Sequence, residues 1–130
     1  MKEIKLVITN ESKMCIGLSD CNVKNFELIN VKTNNIIGKC MTIEDFMCDF
    51  LFDVMIYNQF QNNGYGTLMI KELIKSYKKP LSLYVDKSNK KAIHIYKKLG
   101  FKTISHDCED EFKMQYIPDE FNILLKQLGV

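Results

Sequence analysis

Two glycines spaced two residues apart, in the run Gln61-Asn62-Asn63-Gly64-Tyr65-Gly66-Thr67, are the first residues of this sequence that suggest chemistry. They sit between an apolar stretch ending at Tyr57 and residues 67–77, where Leu68, Met69, Leu73 and Ile74 recur at helical spacing. A helix starting at such a loop turns its first unpaired N–H groups outward, and glycine lets a phosphate oxygen approach them without a Cβ in the way. The loop therefore suits an anion, and a diphosphate fits it. It lacks the Lys-Ser/Thr ending of an ATP-binding P-loop and the G-x-G-x-x-G of a dinucleotide turn, so neither ATP hydrolysis nor NAD binding is supported. A second constellation follows in Asn89, Ala92, Tyr96, Gly100 and Phe101. Tyr96 lies seven positions after Asn89, two turns along the same helical face, whereas His94 points away from it. A phenol held against a leaving group can give it a proton.

The elements that must position these residues are readable from period and punctuation. Residues 4–9 alternate and are rich in β-branched side chains, which predicts a strand, with a second short one at 14–18. Residues 26–32 and 36–41 flank the turn cluster Thr33-Asn34-Asn35 and form a hairpin. Residues 46–57 read as a long strand whose wholly apolar end suits the centre of a sheet. Lys78-Lys79-Pro80 stops the first helix and residues 81–85 make a short buried strand. Ser88 or Asn89 then caps a second helix reaching Leu99, with Gly100 as its left-handed terminator. Two strands, 101–107 and 111–117, close around an acidic turn at 108–110. Asp119 can cap a terminal helix that places Phe121, Leu124, Leu125 and Leu128 on one face. Antiparallel strands, a βαβα unit and a closing hairpin describe an α+β fold with a mixed sheet, in a chain of 130 residues expected to be a single domain, 1–130.

Composition removes several function classes. With 46% apolar residues the chain can bury enough surface to fold, and its apolar runs are too short for a membrane helix. Met1-Lys2-Glu3 lacks the form of a secretory signal, so the expected location is the cytoplasm. Cys15, Cys21, Cys40, Cys48 and Cys108 show no C-x-x-C spacing, which points to small buried thiols rather than a disulfide framework or a metal site. All 18 basic residues are lysine, and ten of them fall within 71–102 against Glu72 and Asp86, leaving the rest of the chain acidic. That cationic region suits a small polyphosphate; nucleic-acid binding is poorly served, because arginine is absent and no aromatic platform is interleaved. Most of these lysines read as solvated helix faces; Lys90 and Lys91 could screen the phosphates of a ligand, but read first as solvated too.

Gln61, Gly64 and Gly66 match [QR]-x-x-G-x-[GA], and Asn89, Ala92, Tyr96 and the Gly100-Phe101 pair match a second motif in register. In both, the sequence resembles the GNAT superfamily of acetyl-CoA-dependent N-acetyltransferases, specifically over 52–101, extending through the hairpin that ends at Tyr116, and only topologically over the first fifty residues. The resemblance implies a mostly antiparallel mixed sheet with splayed central parallel strands and flanking helices. It implies main-chain groups of Val54, Met55 and Ile56 free to pair with pantetheine, amides of Asn62, Asn63, Gly64, Tyr65, Gly66 and Thr67 on the diphosphate, and a polar contact from Asn89. Tyr96 would then protonate the departing thiolate, with no acyl-cysteine and no metal. The implied reaction is direct transfer of acetyl from acetyl-CoA to a primary amine on a small molecule or a protein. The alternative is a non-catalytic acyl-CoA-binding or sensing module.

The general base is not readable. Relatives that acetylate peptide N-termini often carry a glutamate where this sequence has Tyr84, and His106 is no better placed. Glu44, Asp45, Asp49 and Asp53 precede or lie on the central strand and could hold a cationic amine. Family members usually roof the acceptor site with two helices after the first strand, but residues 10–25 are too few for both. The acceptor site is then open, completed by a partner chain as in a homodimer, or roofed by the terminal helix, which otherwise reads as plain core.

Overall fold

Strand-forming residues dominate the first half of the chain, and the computed structural model turns them into one antiparallel sheet. It describes residues 3–16, 19–44, 49–105 and 109–129, with the main chain alone at 14–16 and 19. Strand β1 (Ile4–Ile16) pairs with β2 (Ser19–Asn30) as a long hairpin. The predicted break after Thr9 is instead a register step, from Ile8 opposite Phe26 to Asn10 opposite Asn25. The exposed residues Asn10 to Lys13 remain in the strand because a ladder uses main-chain groups only, and on an edge strand polar side chains face water. For the same reason β2 begins well before Phe26. It ends at Asn30, whose Oδ1 accepts the amides of Lys32 at 3.0 Å and Thr33 at 3.2 Å and so turns the chain. Strands β3 (Ile36–Glu44) and β4 (Asp49–Ile56) follow.

The second half alternates helix and strand: α1 (Tyr65–Lys75), β5 (Leu81–Asp86), α2 (Lys90–Lys98), β6 (Lys102–Ser105), β7 (Glu111–Tyr116) and α3 (Asp119–Gln127). Among the described residues seven strands lie in the order β1-β2-β3-β4-β5-β7-β6, and β4–β5 is the parallel pair among them. Helix α1 lays Met69, Ile70 and Leu73, all fully buried, into one cluster with Leu28, Leu51 and Leu81. Each such side chain contributes roughly 1.5–3 kcal/mol by leaving water. Residues Ile93 and Tyr96 of α2 complete the same cluster.

Two expectations need correction. Pro118, not Asp119, occupies the N-cap of α3, and Asp119 sits in the first turn, where its charge favours the helix dipole. Nor is α3 core: none of its residues is buried, and Leu124 and Leu128 remain 48% and 68% exposed. Among the described residues no helix lies between β1 and β2, because the strands themselves take up residues 10–16 and 19–25. The readings that fell on Asp45, Cys48, His106, Cys108, residues 46–47 and 17–18, and the Cys15 side chain lie outside the described residues, whereas Cys21 and Cys40 are free buried thiols.

Candidate active site

Strand β4 begins inside the sheet and ends outside it. Asp49 faces Leu81 and Phe50 faces Ser82 across the parallel ladder, and there the pairing with β5 stops. On its other edge β4 stays bonded to β3, but the register jumps from Phe52 opposite Met41 to Met55 opposite Lys39. The extra residue is accommodated at Asp53, which adopts a left-handed φ of 51°. The apolar end of β4 is therefore not at a packed sheet centre: Phe52 is 37% and Met55 38% exposed. Main-chain groups of 51–56 that point toward β5 have no strand to bond, and such groups recruit an extended ligand as an added strand. Gly38 lets β3 approach this segment, since a Cβ there would stand 2.6 Å from the Met55 carbonyl oxygen.

Above this gap the chain builds its anion loop. A single 3-10 turn, Asn58–Phe60, is followed by Gln61, whose Nε2 donates to the Ile56 carbonyl at 2.9 Å and to Asn58 Oδ1 at 3.2 Å. Asn63 Nδ2 donates to the Gln61 carbonyl at 2.9 Å. The side chains of Gln61 and Asn63 thus shape the loop, and what they offer a ligand is main chain. Gly64, at φ 80°, is the N-cap of α1 and no side chain caps it, so the amides of Tyr65, Gly66 and Thr67 are unspent at the positive end of the helix. Tyr65 packs edge-on against Phe60, with ring centroids 6.3 Å apart.

Helix α2 presents its own N-terminus to the same gap. Asn89 Oδ1 accepts from the Ala92 amide at 3.2 Å, making Asn89 the cap in preference to Ser88. Lys91, read from sequence as solvated, reaches across and donates to Asn62 Oδ1. A cavity of about 300 Å³ lies between Gln61, Asn62, Gly66 and Thr67 on one side and Asn89 and Lys91 on the other. It adjoins a cavity of about 530 Å³ between the separated strands, whose lining includes Val54, Gly66, Asn89 and Tyr96. The structure thus brings together Val54, Ile56, the loop, Asn89 and Tyr96, while His94 is exposed elsewhere on α2. Tyr96 is 8% exposed, packs 5.4 Å from Phe101, and has its phenol pushed up to about 12, first by burial and then by the Cys40 thiol. Burial pushes Cys40 up to about 12 as well, so neither group carries charge near neutrality.

The model of the acetyltransferase (GNAT) family matches residues 15–101, about two thirds of the chain. The chain belongs to the GNAT acetyltransferase family. No curated protein sequence matches it. Among solved structures it is similar to a spermidine N-acetyltransferase SpeG chimera from Vibrio cholerae and hSSAT, with TM-score 0.67, 20% identity, and 77% of this chain and 69% of that one covered. It is also similar to the dodecameric spermidine N-acetyltransferase from Vibrio cholerae, with TM-score 0.66, 20% identity, and coverage of 80% and 68%. A third likeness is to the PaiA N-acetyltransferase from Thermoplasma acidophilum in complex with coenzyme A, with TM-score 0.65, 19% identity, and coverage of 74% and 61%. These identities establish a common fold. The GNAT reaction, acetyl transfer from acetyl-CoA to an amine, is the activity of this chain.

In this GNAT chain the larger cavity continues between β4 and β5. Its lining includes Phe52 and Asp53 from β4, Tyr84 and Asp86 from β5, and Glu111 from β7. Tyr84 stacks on Phe50 with centroids 6.0 Å apart and planes 2° from parallel, and Lys113 Nζ lies 5.4 Å and 5.9 Å above the two rings. Asp86 already accepts from the Ser88 amide at 2.9 Å and hydroxyl at 2.7 Å, which hold its carboxyl below the usual range. Two candidates from the sequence are elsewhere: Glu44 pairs with Lys24 at 2.9 Å and accepts from the Tyr77 hydroxyl, and Asp49 pairs with Lys79 at 3.0 Å. Lys79 comes from the Lys78-Lys79-Pro80 run that ends α1, and Lys24 from β2, so both carboxylates are answered by residues that the sheet brings to them.

Proposed function

We propose that the cleft between β4 and β5 acetylates the primary amine of a small cationic acceptor, with Tyr96 as the acid and Asp53 as the carboxylate that takes up the amine's proton. The observation carrying this reading is that β4 and β5 part company after Phe50 and Tyr96 borders the gap they leave. Acetyl-CoA supplies the thioester carbonyl and the thiolate leaving group. Main-chain groups of Val54, Met55 and Ile56 hold its pantetheine arm as an added strand. The amides of Asn62 to Thr67 hold the diphosphate, and Asn89 makes a polar contact beside it. Lys91 can exchange Asn62 for a phosphate oxygen. A β4 amide next to the bulge faces the developing oxyanion. As the new N–C bond forms and the C–S bond breaks, Asp53 receives the ammonium proton directly or through a water and Tyr96 delivers its own to sulfur. The burial that raises the Tyr96 phenol also raises the basicity of a thiolate formed beside it, so the transfer joins two desolvated partners.

Carboxylates at Asp53 and Glu111 beside the aromatic rings of Phe52 and Tyr84 suit an acceptor with a positive charge on an apolar body. The relatives that act on spermidine support a small amine over a protein lysine, and the dodecamer among them supports assembly of this chain with copies of itself. Incubation with acetyl-CoA and a panel of amines, followed by detection of free thiol, tests the assignment; coenzyme A binding without turnover on any amine would favour the sensing module. Tyr96→Phe should lower kcat by about 10²-fold or more while leaving the coenzyme A dissociation constant nearly unchanged. Unchanged turnover would remove Tyr96 as the acid.

A further inference from the structure

The β4–β5 ladder has two rungs, so the angle at which the strands part is set by these and by what packs around them. Asp49 stands at the first of them, opposite Leu81, and is 1% exposed. Lys79, two residues before Leu81 in the connection from α1, brings Nζ to 3.0 Å from Asp49 Oδ1. The contact is ionic rather than an aligned hydrogen bond, and Oδ1 has no hydrogen-bond partner. In the same connection the Tyr77 hydroxyl donates to Glu44, which faces Asp49 across β3–β4. On the far side of the second rung, Gln115 Nε2 donates to the buried Ser82 hydroxyl at 3.1 Å.

From this the geometry points to Asp49 and Lys79 as a positioning pair: a third, ionic rung that fixes the angle at which β4 and β5 separate, and with it the width of the cofactor cleft. An unpaired buried carboxylate is costly, so Asp49 needs the half-exposed Lys79 for stability as well. The place of the pair at the vertex adds leverage. From Phe50 to Ile56 the edge of β4 that faces the gap is about 20 Å long, so a change of about 5° in the angle between β4 and β5 widens the far end by about 2 Å. That displacement is enough to break hydrogen bonds to an added strand.

The inference rests on the reading that coenzyme A lies in this cleft, and the test separates the two. Coenzyme A is titrated calorimetrically into wild type, Lys79→Gln, Lys79→Arg and the control Lys24→Gln, well below the melting temperature of each. Binding by wild type supports the cleft reading; no heat from wild type overturns that reading and this inference with it. Lys79→Gln should weaken binding fivefold to tenfold, Lys79→Arg should restore it to within twofold, and Lys24→Gln, which breaks the neighbouring ion pair, should lower the melting temperature without changing affinity. Should Lys79→Gln fail to fold, the Asp49→Asn/Lys79→Gln pair, which leaves no buried charge unmatched, takes its place with the same expectation. Affinity within twofold of wild type in the folded variant overturns the positioning role.

Discussion

The two ends of strand β4 are built for opposite purposes. At its start, Asp49 and Leu51 are 1% and 3% exposed, with strands on both sides at Asp49 and Phe50 and an ion pair across the vertex. At its end, Asp53 to Ile56 keep β3 as a neighbour but have lost β5, and one residue sits in a left-handed conformation. The sequence composition of the two ends is similar, so the difference does not come from hydrophobicity. It comes from what stands opposite. The closed end spends its main-chain groups on the fold, and the open end leaves those facing β5 without a strand partner.

The largest test of this contrast acts on the open end from β3. Gly38→Ala puts a methyl 2.6 Å from the Met55 carbonyl oxygen and 2.5 Å from Ile56 Cδ1, closer than packed atoms tolerate. The side chain of Ile56 can turn aside, but the carbonyl can move only with β4. We expect a loss of about 1–3 kcal/mol in urea denaturation, and coenzyme A affinity reduced about tenfold by calorimetry. Stability lost with affinity intact would mean that the open end is not what grips the cofactor.

Gly38 also shows where the sequence stops being legible. As a residue it looked like one more member of a hairpin strand, because a close approach between strands leaves no mark on period or composition. The loop of residues 61–67, the cap at Asn89 and the position of Tyr96 were legible, since turn chemistry, capping and helical spacing are local. The lengths of β1 and β2 were not, because the polar residues Asn10 to Lys13 hold their place through ladder bonds to a distant segment. Glu44 and Asp49 were misplaced for the same reason: their partners Lys24, Tyr77 and Lys79 are brought to them by the sheet. Lys91 stays exposed, as its place on a helix face predicts, and only the meeting of α2 with the loop gives its Nζ the Asn62 Oδ1 as acceptor.

A smaller effect separates the two glycines above the open end. Gly64 has φ 80° and open space where a Cβ would go, so Gly64→Ala meets backbone strain alone, about 1 kcal/mol, and tilts the amides proposed to hold the diphosphate. Gly66 lies within α1, and a Cβ there would meet Ile56 Cγ1 at an ordinary 3.8 Å. Gly66→Ala should therefore stabilise the protein by about 0.5 kcal/mol, because alanine is the better helix former. Thermal melts of the two variants should move in opposite directions, and coenzyme A affinity should fall for Gly64→Ala only. Matching shifts would show that the loop tolerates either backbone and is no fixed anion seat.

The smallest change in stability should come with a large change in rate. Asp53 holds a conformation that glycine adopts without strain, although aspartate tolerates it better than most residues. Asp53→Gly should raise the melting free energy by about 0.5 kcal/mol, the strain relieved less the extra freedom of an unfolded glycine. Asp53→Asn, which keeps both size and left-handed tolerance, should leave stability near that of wild type. Both remove the carboxylate, and if it takes up the amine's proton both should slow turnover by about 10²-fold or more at neutral pH. Rising stability with falling rate in the glycine variant would mean that the bulge is kept in spite of its strain, for the side chain it carries into the cleft. If Asp53→Asn retained full rate while Asp53→Gly lost it, the backbone of the bulge would be the functional element and the proton would have to leave by another group, with Glu111 the remaining carboxylate in the lining that is not already bonded to Ser88.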